Sequence, residues 1–154
     1  MSKSVFIIGA AVASSIFAAQ ALGVGRSHAE QPGQAVSIAK APDGHFWATV
    51  RTPEGSARLL IDTGATAVVL TRTDAARLGV SARPDAPRRP IATASGVLEG
   101  AVVRLESLSV GGAGLHDVEA LIVPDGAQAS LLGMSYLGRL SRIEATPTSL
   151  ILRR

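Results

Sequence analysis

The sequence predicts an all-β domain, a closed barrel of eight or nine short strands with one or two short helices, preceded by an apolar N-terminal helix. Three observations carry this reading. Short runs rich in Val, Ile and Leu recur between turn residues, and Gly 16 and Pro 8 supply the breaks. Helix signals are confined to two brief stretches of the later chain, so strands do not alternate with the crossover helices that a βαβ fold needs. Hydrophobic residues make up 47% and aromatics 3%, which leaves the core to aliphatic side chains.

At 154 residues the chain has room for one ordinary domain with one core. Cysteine is absent, which excludes disulfides, thiolate metal sites and thiol catalysis. The net charge of +3 comes from scattered arginines with few aromatics between them, so no nucleic-acid partner is expected. His28, His45 and His116 lack paired ligand spacing, and neither a metal nor a cofactor is predicted.

Residues 1–29 form a targeting segment. From Val5 to Gly25 no charge interrupts the apolar run. At about 1.5 Å per residue, a helix of that length crosses a hydrocarbon core of about 30 Å. Residues 5–25 are therefore expected to span a membrane once, with Lys3 on the cytoplasmic side. The alternative is an exported chain cut after Ala19-Gln20-Ala21 or Ser27-His28-Ala29, both of which resemble signal-cleavage sites. Residues 30–42 mix Gln, Gly, Pro and Ala and read as a linker, and residues 43–154 form the domain.

Within the domain, His45 to Arg51 and Ala57 to Ile61 read as a hairpin about the turn Thr52-Pro53-Glu54-Gly55. The second arm delivers the chain to Asp62-Thr63-Gly64-Ala65, beyond which lies a further apolar run, Val68-Val69-Leu70. Asp62 is the only ionisable group between two strands of buried character. A carboxylate there is costly to ionise unless held by hydrogen bonds, which marks it as a functional candidate over an ordinary turn residue. Thr71 and Asp74 have capping-box spacing, with Asp in place of the usual Glu or Gln, and Gly79 closes a short helix from Thr73 to Leu78.

Ser81 to Pro90 holds three prolines and reads as an exposed loop. A hairpin follows from Ile91 to Leu105, with Ser95-Gly96 at its tip and Gly100 on the outgoing arm, and the glycines leave it mobile. Strands are expected at Leu105 to Val110 and Leu115 to Val123, joined by the turn Gly111-Gly112-Ala113-Gly114. Leu131-Leu132-Gly133 leads into a helix from Met134 to Leu140, where Gly133-Met134-Ser135-Tyr136-Leu137 misses the nucleophile-elbow pattern of serine hydrolases at its last position. Strands at Arg142 to Ala145 and Ser149 to Leu152 end the chain.

The order of Asp62-Thr63-Gly64-Ala65, the hairpin about Thr93-Ala94-Ser95-Gly96, and Leu131-Leu132-Gly133 about seventy residues after Asp62 resembles retropepsin-like aspartic proteases. The likeness is strongest to their bacterial, membrane-anchored branch and runs from about Asp43 to Arg154. It implies a closed retropepsin-type acid-protease barrel and an aspartic endopeptidase activity, on a single-pass protein of the bacterial inner membrane with its domain in the periplasm. Peptide hydrolysis of this kind needs two carboxylates sharing one proton. Asp62 is the only Asp followed by Thr-Gly or Ser-Gly, so the resemblance implies a homodimer with the site on its two-fold axis.

By the same likeness, Asp62 is catalytic, Thr63 bonds across to the partner's loop, and Gly64 lets backbone N–H groups approach the carboxylate. Ala65 stands where pepsin-like relatives often carry a hydroxyl, and the loss of that donor implies activity nearer neutral than strongly acidic pH. Ala94, Ser95, Gly96 and Val97 would belong to a flap closing over an extended peptide substrate, and Leu131, Leu132 and Gly133 would pack under the catalytic loop. Tyr136 reads as core packing. Two other readings are a catalytically silent barrel that binds peptides or a partner protein, and a half-site that pairs with a different chain.

Overall fold

A computed structural model describes residues 35–93 and 96–154. The expected membrane segment at 5–25 and the hairpin-tip residues Ala94 and Ser95 lie outside them. Among the described residues, ten strands and two short helices run in the order β1 (Ala35–Ala39), β2 (Trp47–Arg51), β3 (Ser56–Ile61), β4 (Val68–Leu70), α1 (Arg72–Arg77), β5 (Arg88–Thr93), β6 (Gly96–Val110), β7 (Ala113–Ile122), β8 (Leu131–Leu132), α2 (Met134–Leu137), β9 (Arg142–Ala145) and β10 (Ser149–Arg153).

Seven strands form one sheet in the order β2-β3-β8-β4-β7-β6-β5, and an added β2–β6 pairing through Val50 and Val110 closes it into a barrel. The ring consists of six of the seven strands, β2, β3, β8, β4, β7 and β6, and closure removes their open edges. β5 stays outside the ring, paired only to β6. The other sheet, β1-β10-β9, is antiparallel.

The core follows from strand alternation. In β2, Ala48 and Val50 turn inward while Thr49 and Arg51 face solvent, and Val36 and Ile38 of β1 pack with Leu150 and Leu152 of β10 against the same core. β4 is buried at every position because it lies between β8 and β7 with α1 nearby. Tyr136 is fully buried, and its hydroxyl accepts from the Val110 amide and donates to the Ala113 carbonyl across the β6–β7 turn. Burial of the phenol raises its pKa, so the hydroxyl keeps the proton it donates.

α1 shows how a local signal is completed from afar. The Thr71 side chain accepts from the Asp74 amide, as the capping-box spacing predicts. The shorter Asp74 does not take the Thr71 amide itself. Ser130 stands between: its Oγ accepts from Thr71 N at 3.0 Å and donates to Asp74 Oδ2 at 2.6 Å. At the other end Gly79, at φ +70, sends its N–H to Ala76 and the Val80 N–H returns to Ala75, the paired bonds of a Schellman stop.

Several expectations are corrected. Residues 35–39, read as linker, form β1, because Val36 and Ile38 alternate and find β10 at the far end of the chain. The structured domain therefore begins before residue 43. Arg88 to Pro90, read as loop, open β5. Pro87 accepts from Val102, and alternation of the ladder turns the nitrogen of Pro90 outward, where its missing N–H breaks no bond. The arm after the hairpin tip and the strand to Val110 are one continuous β6. The β6–β7 turn shrinks to Gly111-Gly112, and the last helix is a single turn ending at Leu137. Gly100 is buried at the hairpin base, where a Cβ would lie 2.9 Å from Ile91 Cδ1 and 3.0 Å from Leu121 Cβ. Its role there is close packing of three strands.

Candidate active site

β3 and β8 run parallel, with Leu60 opposite Leu131 and Ile61 opposite Leu132. This pairing sets Asp62 at the end of β3, with its amide donating to the Leu132 carbonyl at 3.1 Å. The carboxylate is half-buried and Oδ1 accepts the Gly64 amide at 2.8 Å. A Cβ on Gly64 would lie 3.1 Å from that oxygen, so glycine gives the amide room to reach it. Ala65 N–H closes the turn on the Asp62 carbonyl at 3.3 Å. Thr63 is exposed, and its hydroxyl has no hydrogen-bond partner among the described residues.

The loop rests on the start of α2. The Met134 amide donates to the Ala65 carbonyl at 2.8 Å. Gly133 meets the loop so closely that a Cβ would stand 2.1 Å from the Ala67 carbonyl oxygen and 2.7 Å from that of Ala65. Leu132 is buried below and Leu131 is half-buried. The structure thus brings Leu131, Leu132 and Gly133 together with Asp62, Thr63, Gly64 and Ala65.

Two further residues brace this floor. Ser135 Oγ accepts the Val68 amide at 2.8 Å and donates to the Glu119 carbonyl at 2.7 Å, joining β4, α2 and β7. The Glu119 carboxylate in turn takes both terminal nitrogens of Arg89 on β5, at 2.6 and 3.3 Å, which raises the Arg89 pKa. Neither Ser135 nor Glu119 was legible as a brace. The one available signal is that Ser135 directly follows the Gly133-Met134 step. From the hairpin, Gly96 adopts φ +126 and Val97 is 69% exposed, an unusual position for a branched apolar side chain. Met134, beside the loop, is 40% exposed.

A half-buried carboxylate beside a backbone donor, on a tightly supported loop open to solvent, can accept a proton from water. One such group cannot also supply the proton that polarises a carbonyl.

Residues 48–139 match the family model described as "gag-polyprotein putative aspartyl protease". An uncharacterized protein of Sinorhizobium sp is 31% identical over 121 residues, 78% of this chain and 52% of that protein. An uncharacterized protein of Rickettsia prowazekii is 30% identical over 117 residues, 76% of this chain and 50% of that one. The chain thus spans about half the length of the curated relatives it matches. Among solved structures, a retropepsin-like aspartic protease from Rickettsia conorii superposes with a TM-score of 0.67 at 29% identity, covering 77% of this chain and 89% of that one.

Proposed function

Because this chain belongs to the gag-polyprotein aspartyl protease family and has a retropepsin-like fold, we propose that it is an aspartic endopeptidase completed by a second copy of itself. The observation that carries this reading is Asp62, a single half-buried carboxylate held by the Gly64 amide on a loop fixed from beneath by Leu132 and Gly133. No other Asp of the sequence is followed by Thr-Gly or Ser-Gly, so the matching carboxylate comes from Asp62 of the partner subunit.

In the dimer the two Asp62 carboxylates share one proton, because like charges about 3 Å apart do not both ionise. The ionised member takes a proton from a water, whose oxygen attacks the peptide carbonyl carbon. The protonated member donates to the carbonyl oxygen as charge builds there. Collapse of the tetrahedral intermediate breaks the C–N bond, with a proton delivered to the leaving amine. Thr63, exposed with its hydroxyl free among the described residues, reaches to the partner's loop and holds the pair together. The β5–β6 hairpin covers an extended peptide and excludes water, and Val97 supplies an apolar surface for its side chains. Residues 5–25 anchor the chain in the bacterial inner membrane with the domain in the periplasm, which raises the local concentration for pairing.

The test is cleavage of a peptide library by the full chain beside Asp62→Asn, with folding followed by circular dichroism. Cleavage lost in a variant of unchanged melting temperature supports the enzyme. Equal cleavage by both contradicts it.

A further inference from the structure

A cavity of about 350 Å³ opens between α1, the loop that follows it and the base of the β5–β6 hairpin. Ala75, Val80, Ile122 and Val123 form part of an apolar lining, and Arg72 and Arg88 border it as exposed side chains. The cavity shares no residue with the Asp62 loop and has no acidic residue in its wall. Its volume falls at the lower end of the roughly 300–1,000 Å³ typical of small-ligand sites.

Two arginines without an ion-pair partner stand at this cavity. Arg77, Arg83, Arg89, Arg104 and Arg142 each have a carboxylate partner. Arg72 and Arg88 have none among the described residues, nor do Arg51, Arg58, Arg139, Arg153 and Arg154, but of these seven it is Arg72 and Arg88 that line the cavity. Asp74, on α1, is committed to Arg77 and Ser130, and Glu99, on the same face of the β5–β6 ladder as Arg88, forms no ion pair among the described residues. Asp125, next to the lining residue Pro124, forms no ion pair with either arginine. Both guanidiniums border one cavity, and an anion bound there can accept charge-assisted hydrogen bonds from them.

The form of the ligand follows from the walls. The aliphatic lining favours an unbranched or lightly branched carbon chain over a polar body. The outer edge of β5 is interrupted by Pro90, whose nitrogen faces outward without a hydrogen, so a peptide cannot pair along that edge without a gap. We propose that this cavity binds a small aliphatic carboxylate, its head group between Arg72 and Arg88 and its tail on the floor formed by Val80, Ile122 and Val123. The site is independent of the protease chemistry and stands whether or not that chemistry does.

The experiment titrates the full chain with hexanoate, hexylammonium and 1-hexanol, reading ligand-observed NMR relaxation, and repeats hexanoate with Arg72→Gln/Arg88→Gln. Hexanoate is expected to saturate one site, with hexanol about tenfold weaker or more and hexylammonium without saturation. The double variant weakens hexanoate by about tenfold or more at an unchanged melting temperature, since both side chains are exposed. Absence of hexanoate saturation, equal binding of hexylammonium, or a folded double variant that keeps its hexanoate affinity within about twofold overturns the proposal. The three-ligand comparison on the unmutated chain decides the matter alone should the variant not fold.

Discussion

Ser135 Oγ lies 2.8 Å from the amide of Val68, and through this one hydroxyl the last helix holds the strand that leaves the Asp62 loop. The same oxygen donates to the Glu119 carbonyl. Ser135→Ala leaves both backbone groups without their partner, and Val68 is fully buried. The expected cost is about 2–3 kcal/mol. Urea denaturation checks it: the midpoint falls while the slope stays constant, and Ser135→Thr, which keeps a hydroxyl, recovers much of the loss.

Gly133 marks where the loop and its support meet most closely. Gly133→Ala drives a Cβ against two backbone carbonyl oxygens that have no room to yield, and the expected loss is about 3 kcal/mol or more. Gly114→Ala is the control. Its nearest neighbour would be Ser109 Cβ at 3.7 Å, an ordinary contact, and the strand gains up to about 1 kcal/mol from reduced backbone entropy. Melting temperatures of the two variants in one buffer check the contrast.

Asp117 is the one non-glycine residue of positive φ among those described, at φ 55 within β7. The Arg139 guanidinium bonds the carbonyls of His116 and Asp117 on the spot, and Arg104 takes the Asp117 carboxylate at the surface. Asp tolerates this conformation and a β-branched residue does not. Asp117→Val is therefore expected to lose about 2 kcal/mol, while Asp117→Gly stays within about 0.5 kcal/mol, the relieved backbone offsetting the exposed ion pair. Denaturant titration separates the two.

Trp47 is the sole tryptophan, and its indole Nε1 donates to Asp43 Oδ2 at 2.8 Å while the His45 amide donates to Oδ1. The His45 amide bond first, then the Trp47 bond, holds the Asp43 carboxyl below its ordinary value of 3.8. A depressed carboxyl contributes stability above the unfolded pKa and loses it as pH falls through the folded one. Trp47 emission is expected to change with an acid midpoint below 3.8, and Asp43→Asn abolishes that step. A fluorescence titration reads it directly.

What the sequence disclosed was local. Asp62-Thr63-Gly64, the capping pair Thr71 and Asp74, the stop at Gly79 and the glycine turn after β6 announce themselves within a few residues, because turn and cap chemistry is set by nearest neighbours. Partners distant in the chain were not legible. β1 looks like linker until β10 arrives beside it, and Ser130 looks like any serine until it bridges Thr71 to Asp74. Ser135 became a brace only when β4, β7 and α2 converged on it. Pro90 argued for a loop because the direction its nitrogen faces depends on strand register, which the sequence does not carry.

The most direct measurement mixes the full chain with Asp62→Asn at a fixed amount of the active chain, at concentrations where sedimentation shows dimers and subunits exchange. If each site is built from two Asp62 residues, an equimolar addition of the variant lowers peptide cleavage to about half by random pairing, and further variant lowers it toward zero. Cleavage that stays constant as the variant is added, or a monomer that cleaves alone, contradicts the account.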